Sequence, residues 1–233
     1  MLKVQDIHTY YGASYILHGV SLEVEKGATV ALLGRNGMGK TTTVRSIMGL
    51  TPPKRGTITF NETDIARLQP YQIARMGLAL IPQGRRIFPS LTVRENLILA
   101  MRGKGYDLDQ IYSFFPILKE RGNNQGDQLS GGEQQMLAIS RAMLANPELI
   151  LMDEASEGLA PVFIKQVGDF ILHLKSTGQS ILLVEQNLAL ALRVSDYVYV
   201  LHHGEIVQHC SATEFAKNTK AQMEFIGTTM IKD

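Results

Sequence analysis

Residues 34 to 41 read Gly-Arg-Asn-Gly-Met-Gly-Lys-Thr, and this octet constrains the fold more than any other part of the sequence. Its glycines, followed by Lys40 and Thr41, fit the phosphate-binding loop pattern. The apolar run Thr29 to Leu33 before the octet suits a buried strand, and Thr41 to Leu50 after it can carry a helix. A strand, a glycine-rich turn and a helix aim backbone N–H groups at one point, where the helix dipole also favours negative charge. The octet therefore predicts a nucleotide phosphate site.

The chemistry of the loop assigns a task to each polar residue. The Lys40 ammonium would reach the β- and γ-phosphates, and the Thr41 hydroxyl would hold Mg²⁺. A glycine-rich turn without a ligand is the alternative, and the strand pattern before the octet weighs against it. The residues expected to contact the nucleotide here are Gly34, Arg35, Asn36, Gly37, Gly39, Lys40, Thr41 and Thr42.

A second segment, Leu129 to Gln135, reads Leu-Ser-Gly-Gly-Glu-Gln-Gln and precedes a helical pattern. Ser130 and Glu133 stand at capping-box spacing, which alone would indicate only a well-made helix start. The consecutive glycines Gly131 and Gly132 are poor helix formers, so capping does not explain them. Glycines at a helix N-terminus make sense where the backbone must approach a phosphate closely.

A third segment, Leu149 to Glu154, is an apolar strand pattern that ends in two carboxylates. An Asp at the C-terminal edge of such a strand lies beside the phosphate loop, so Asp153 is expected to reach Mg²⁺ directly or through water. Two acids ending a strand in solvent are the alternative. The apolar character of the preceding residues disfavours it.

These three segments in this order resemble the ATP-binding cassette (ABC) family, with Leu129 to Gln134 matching its signature and the resemblance running from about Leu2 to Gly227. The resemblance implies an α/β fold: a P-loop ATPase core with a parallel sheet, an N-terminal antiparallel β subdomain and an inserted helical subdomain. The expected divisions of the single domain 1–233 are a nucleotide-binding core (1–83 and 148–211), a helical subdomain (84–147) and a C-terminal helical tail (212–233).

The same resemblance implies roles for individual residues. Glu154 matches the general base that polarises the attacking water, and Gln83 matches the glutamine that touches Mg²⁺ and that water. Tyr11 stands where an aromatic stacks on adenine, with Tyr10 as the runner-up and a core tyrosine as the structural alternative. A second ATPase subunit is implied as well, because the signature residues of one copy face the ATP held by the other. Those residues are Ser130, Gly131, Gly132 and Glu133.

The sequence departs from the family pattern at two positions. Ala155 replaces the proline that usually follows the catalytic glutamate, which frees the Glu154 backbone. Gln186 occupies the place of the switch histidine, and glutamine can donate a hydrogen bond to a γ-phosphate but carries no proton near neutral pH. Gln186 therefore remains a candidate catalytic residue, and a solvated glutamine ahead of a helix capped by Asn187 is the alternative.

Three segments, 84–97, 157–161 and 183–187, resemble the LivF-type ATPase of branched-chain amino-acid importers. A glutamine at the position of Gln186 is typical of that subunit. The resemblance implies two membrane permeases and a periplasmic or extracellular solute-binding protein as further partners. Urea and short-chain amide importers are the closest alternative, because segments 10–14 and 204–208 fit their ATPases almost as well.

Composition agrees with a peripheral ATPase on the cytoplasmic face of the inner (plasma) membrane. No apolar run approaches the about 18 to 20 residues that span a bilayer, and the net charge of +1 gives no footprint for nucleic acid. Cys210 is the only cysteine, which excludes an internal disulfide and a cysteine-based zinc site. We expect it to be an inert residue on a late strand.

Other classes fit less well. A chromosome-maintenance ATPase would need a long insert between the phosphate loop and the signature. An excision-repair ATPase would need zinc-binding cysteines, and a translation factor would carry two cassettes in one chain. A nucleotide kinase lacks the signature, whereas an exporter ATPase stays open because the permease sets transport direction.

Patterning predicts several further elements. Strands are expected at Ser14 to Val24 and Gly56 to Phe60. Thr92 and Glu95 form a capping box opening a helix over Val93 to Met101, and Asp107 to Phe115 reads as a short amphipathic helix.

Overall fold

The computed structural model describes residues 1–103 and 105–227 as two β-sheets with helices packed against them. The strands are β1 (Leu2–Tyr11), β2 (Ser14–Val24), β3 (Thr29–Leu33), β4 (Arg55–Phe60), β5 (Thr63–Asp64), β6 (Leu78–Ile81), β7 (Leu149–Asp153), β8 (Ser180–Glu185), β9 (Tyr197–His202) and β10 (Glu205–Ser211). The helices are α1 (Lys40–Ile47), α2 (Pro70–Arg75), α3 (Val93–Ile98), α4 (Leu108–Phe114), α5 (Pro116–Glu120), α6 (Gly131–Leu144), α7 (Pro161–Ser176), α8 (Leu188–Val194), α9 (Ala212–Phe215) and α10 (Thr219–Ala221), with a 3₁₀ turn at Gly126–Gln128 and a π-helical turn at Gln222–Ile226.

The larger sheet has the order β10-β9-β3-β8-β7-β6 and is parallel except for β10. Every residue of β3, β7 and β8 is buried, as expected for parallel strands covered on both faces. Leu33 lies opposite Glu185, and Asp153 opposite Val184. The carboxyl ends of β3, β8 and β7 therefore meet at one edge of the sheet, where open α/β folds bind ligands.

The smaller sheet is antiparallel, in the order β2-β1-β4-β5. β2 has the predicted bounds Ser14–Val24, and β4 begins at Arg55, one residue before the prediction. Apolar side chains of both sheets, among them Ile7, Leu32 and Phe60, pack into one core. The predicted combination of a parallel sheet and an N-terminal antiparallel sheet is confirmed.

Residues 84–147 contain α3 to α6, and the predicted capping boxes at Thr92 and Ser130 both form. A capping box that was not predicted also forms at Asp107. The helix from Val93 ends at Ile98, three residues before the prediction, because the chain tightens there into i→i+3 hydrogen bonds. Helix α1 likewise stops at Ile47, since Gly49 has a φ of 69° and turns the chain.

Helix α6 is anchored in the main sheet rather than in the helical segment alone. Its Leu137 and Met143 share one core with Ile150 of β7 and Phe170 of α7. Packing is therefore continuous across residues 147 and 148, and the division of the chain there stays a prediction.

The tail contributes α9, α10 and the π-helical turn up to residue 227, and the last six residues of the expected tail lie outside the described part. Cys210 is a free thiol, half-buried on β10. Among the described residues, no helix has both the length and the apolar character needed to cross a bilayer.

Candidate active site

The phosphate-binding octet forms a turn between β3 and α1. Gly39 caps α1 with a φ of 106°, and a β-carbon there would lie 2.8 Å from the Leu17 side chain. The loop is also tied to the β9–β10 turn, because the Gly204 N–H donates to the Met38 carbonyl at 3.0 Å. The backbone angle thus requires glycine at position 39, and a β-carbon there would also displace the Leu17 side chain.

A cavity of about 340 Å³ opens over this turn. It brings five segments together: the end of β1, one residue of β2, the octet with the start of α1, the second residue after β6, and the residue after β7. The lining residues are Tyr11, Ile16, Asn36, Gly37, Gly39, Lys40, Thr41, Thr42, Gln83 and Glu154. Of the predicted loop contacts, Gly34 and Arg35 are not among them.

Lys40 and Glu154 form a buried ion pair inside this cavity. The Lys40 Nζ lies 3.0 Å from the Glu154 Oε1, with side chains 3% and 8% exposed. Lys40 also donates to the Arg35 carbonyl at 3.1 Å. The ammonium expected to hold phosphate thus contacts the carboxylate expected to activate water.

Thr41 and Asp153 bring two oxygen atoms together beside the octet. The Thr41 hydroxyl donates to the Asp153 Oδ1 at 3.3 Å. Burial raises the pKa of the Asp153 carboxyl from 3.8 to about 6, against the lowering effect of the Thr41 hydrogen bond, while the charge of Glu154 raises it further. A hydroxyl and a carboxylate are the hard oxygen ligands that Mg²⁺ binds together with nucleotide phosphates, so these residues fit that ion.

Gln83 bridges two carboxylates. Its amide nitrogen donates to Glu154 at 3.0 Å and to Glu157 at 2.7 Å. Its amide oxygen is the atom that could bind a cation. Gln83 therefore links the entrance of the helical segment to the loop after β7.

The two neighbouring tyrosines have different surroundings. Tyr11 lines the cavity and is 43% exposed. The Tyr10 ring instead stacks on Tyr15 at 4.4 Å between centroids, with the Lys54 ammonium 4.4 Å from its centre. Of the two rings, Tyr11 is the one that reaches the cavity.

The signature residues do not line this cavity. Ser130 caps α6, accepting from the Glu133 N–H at 3.4 Å, while the Glu133 carboxylate accepts from the Ser130 N–H at 2.7 Å. A β-carbon on Gly132 would lie 2.3 Å from the Phe163 ring, so packing within the chain already requires glycine there. The interpretation of Gly132 from phosphate approach alone was thus incomplete.

Gln186 directly follows β8, with its side chain exposed and outside the cavity lining. The strand register places it between the octet after β3 and Glu154 after β7. Its neighbour Glu185 is buried and bonded to Ser156, a contact that the sequence reasoning missed.

At Glu154 itself the backbone has a φ of 52°, in the left-handed region. Glu154 N–H donates to the Val184 carbonyl at 2.8 Å, which fixes this conformation against β8. Ala155 is buried in the core, so the residue that replaces the family's proline contributes packing.

Comparison with known proteins identifies the family to which this site belongs. Residues 17–157 match the family described as ABC transporter. The chain belongs to the ABC transporter family. It is an ATPase of the ATP-binding cassette type, which agrees with the phosphate loop, Asp153 and Glu154 at one sheet edge.

Relatives of this ABC ATPase cover almost its full length. The high-affinity branched-chain amino acid transport ATP-binding protein BraG of Pseudomonas aeruginosa is 41% identical, over 97% of this chain and 100% of its own. A probable branched-chain amino acid transport ATP-binding protein, LivF of Archaeoglobus fulgidus, is 33% identical over 97% and 99%. The lipopolysaccharide export system ATP-binding protein LptB of Escherichia coli is 31% identical over 97% of both chains.

Solved structures show the same fold. A nucleotide-free cassette from an ABC transporter superposes with a TM-score of 0.86 at 26% identity, covering 100% of this chain and 99% of that one. A bacterial cassette described as dimeric superposes with a TM-score of 0.77 at 26% identity, covering 91% and 99%.

Proposed function

We propose that this ATPase drives the import of branched-chain amino acids through partner permeases. The identity to BraG, 41% against 31% for LptB over 97% of this chain in each case, is the observation that carries the proposal. Gln186 in place of the switch histidine supports the same subtype. The chain would act at the cytoplasmic face of the membrane, held there by its permeases.

In the proposed site, ATP lies in the cavity with its adenine on Tyr11 and its phosphates on the octet. Thr41, Asp153 and Gln83 would hold Mg²⁺, whose charge offsets that of the phosphates. Lys40 would exchange Glu154 for phosphate oxygens, because both compete for the same ammonium.

Release from Lys40 leaves the Glu154 carboxylate free to accept a proton from the attacking water. Gln83 keeps that carboxylate oriented through its amide N–H. The Gln186 amide would donate to the γ-phosphate, which stabilises the charge of the transition state without any proton transfer.

A second copy or a close relative would complete the site. Ser130 and the N-terminus of α6 lie outside the cavity of their own chain, although a helix N-terminus suits an anion. We propose that they contact the ATP bound to the other subunit, in a two-fold arrangement.

We propose that a groove of about 670 Å³ binds the permeases. It lies between α2, β6 and α6, beside the segment after Gln83, and combines an aromatic ring with a set of cations. These residues are Tyr71, Arg75, Arg85, Arg86, Arg102 and Arg141. Tyr71 is 60% exposed, so apolar surface is available for a partner.

The chemistry is tested with Glu154→Gln. ATP affinity should remain close to wild type or rise, a dimer should accumulate, and turnover should fall by about 10² to 10⁴, the usual contribution of a general base. Turnover and sedimentation of the purified chain decide the outcome. Retained turnover would remove Glu154 from the role of base.

Transport is tested in the source cell. Deleting the gene for this chain should abolish uptake of labelled leucine, isoleucine and valine, and the wild-type chain should restore it while Glu154→Gln should not. Loss of urea or short-chain amide uptake instead would favour the alternative importer, and a lipopolysaccharide defect with normal uptake would indicate an exporter.

A further inference from the structure

The carboxylate of Glu185 connects two loops of the site. Glu185 ends β8 and is 2% exposed. Its Oε1 accepts from the Ser156 N–H at 3.0 Å, and its Oε2 accepts from the Ser156 hydroxyl at 2.8 Å and from the Asn187 N–H at 3.3 Å. One buried side chain thus joins the loop after Glu154 to the segment that carries Gln186.

Glu185 forms no ion pair within residues 1–103 and 105–227. Its partners are the serine hydroxyl and backbone N–H groups. Burial raises the pKa of the Glu185 carboxyl, and the hydrogen bonds from Ser156 and from the backbone of Asn187 and Gln186 oppose that rise. A buried carboxylate without a cation is costly, so stability alone does not account for it.

The loop that Glu185 holds is bonded at a second point. Glu157, the residue after Ser156, accepts from Gln83 at 2.7 Å, and the same Gln83 nitrogen donates to Glu154. Ser156 lies two positions after Glu154, while Asn187 directly follows Gln186 and caps α8. A displacement of either loop therefore changes the other through Glu185.

We propose that Glu185 is a positioning residue for ATP hydrolysis, which sets Glu154 and Gln186 relative to each other by holding Ser156 and Asn187. The proposal rests on the roles proposed above for Glu154 and Gln186. Neither Glu185 nor Ser156 lines the nucleotide cavity. Their loss should therefore lower kcat while leaving the KM for ATP in place.

Two variants break different halves of the connection. In Glu185→Gln the amide oxygen can still accept from the Ser156 N–H. The amide nitrogen that replaces Oε2 can donate to the Ser156 hydroxyl, but it can accept neither from that hydroxyl nor from the Asn187 N–H. Ser156→Ala removes only the hydroxyl. The matched control is Ser140→Ala, since Ser140 is a fully buried serine whose hydroxyl has no partner within the described residues.

The experiment measures kcat, KM and the melting temperature of the purified chain for wild type, both single variants, the double variant, the control and Glu154→Gln. Each single variant should lose about ten- to a hundredfold in kcat, the value of a hydrogen bond to a charged group. KM should stay within about twofold, a ratio that corresponds to well under 1 kcal/mol. The double variant should be no slower than the slower single variant, because both changes break one connection.

If Ser156→Ala and Glu185→Gln keep the wild-type kcat, even with lowered melting temperatures, the proposal is overturned. The bond between Glu185 and Ser156 would then contribute only to stability. Independent losses that multiply in the double variant, or a rise in KM matching the fall in kcat, would overturn it as well. If Glu185→Gln does not fold, Ser156→Ala against Ser140→Ala still decides. Retained turnover in Glu154→Gln would overturn the site assignment and this inference together. If Glu154→Gln is inactive while the Glu185 variants keep wild-type turnover, the inference alone is overturned.

Discussion

The Lys40 ammonium and the Glu154 carboxylate lie 3.0 Å apart, both almost fully buried, and both line the cavity over the phosphate-binding octet. Each neutralises the other where phosphate would bind. Breaking a buried pair by removing one partner is strongly destabilising, because the other charge is left uncompensated. We therefore expect the phosphates of ATP to replace Glu154 at Lys40, which would couple nucleotide binding to release of the proposed base.

The first prediction concerns this pair. Lys40→Ala should lower the free energy of unfolding by about 3 kcal/mol and weaken ATP binding by about ten- to a hundredfold, because charged hydrogen bonds to phosphate are lost. Adding Glu154→Gln should restore stability but not binding. Urea denaturation and nucleotide titration measure both quantities.

Lys165→Ala, at an exposed position of α7, is the control for loss of one positive charge. Unchanged ATP affinity in Lys40→Ala would contradict the phosphate-loop assignment. Stability losses that add in the double variant would show that the two side chains do not interact.

The second prediction separates the two tyrosines. Tyr11→Ala should weaken ATP binding by about 1 to 3 kcal/mol, the value of stacking on a base, and Tyr11→Phe should keep it. Tyr10→Ala should leave the affinity unchanged, because that ring is occupied by Tyr15 and Lys54. A fluorescent-nucleotide titration compares the three variants, and the reverse ranking would assign the adenine to Tyr10.

Much of the fold could be predicted from local sequence. β3 and β7 are buried on both faces, so they read as apolar runs between turn residues. β3 has the predicted bounds, whereas β7 ends at Asp153, one residue before the predicted Glu154. The capping boxes at Thr92 and Ser130 could also be predicted from the sequence, because each depends on two residues three positions apart.

Contacts between distant segments could not be predicted in the same way. Gly132 must be glycine because Phe163 of α7 packs on it, and Glu185 is bonded by Ser156 of another loop. Neither pair shows any spacing signal in the sequence. The ends of α1 and α3 were misplaced for a related reason, since helix ends depend on the packing of the following turn.

The third prediction follows from Asp153, whose pKa burial raises from 3.8 to about 6. An acid with a raised pKa in the folded state binds protons more tightly than the unfolded chain, so its contribution to stability is lost as pH rises from about 4 to about 6. Asp153→Asn should therefore match wild type near pH 4 and be more stable by up to about 3 kcal/mol at pH 7. Urea denaturation between pH 4 and 8 measures the difference.

Mg²⁺ with nucleotide should reverse that ranking at pH 7, because the carboxylate becomes a ligand and the amide replaces it poorly. A stability difference independent of pH would show that Asp153 does not titrate in this range. An unchanged ranking with Mg²⁺ and nucleotide would remove Asp153 from the cation site.

The last prediction concerns Gln186, which the strand register places between the octet and Glu154. If its amide donates to the γ-phosphate, Gln186→Ala should slow hydrolysis by about ten- to a hundredfold, since a bond to a charged group contributes about 1.5 to 3 kcal/mol. Gln186→His should preserve or raise the rate, because histidine can donate from the same place. Only that variant adds a group here that titrates between pH 6 and 8, so it alone should gain a pH dependence with a midpoint near that of histidine. ATPase rate against pH for wild type and both variants measures this, and a Gln186→Ala rate equal to wild type would identify a solvated glutamine ahead of α8.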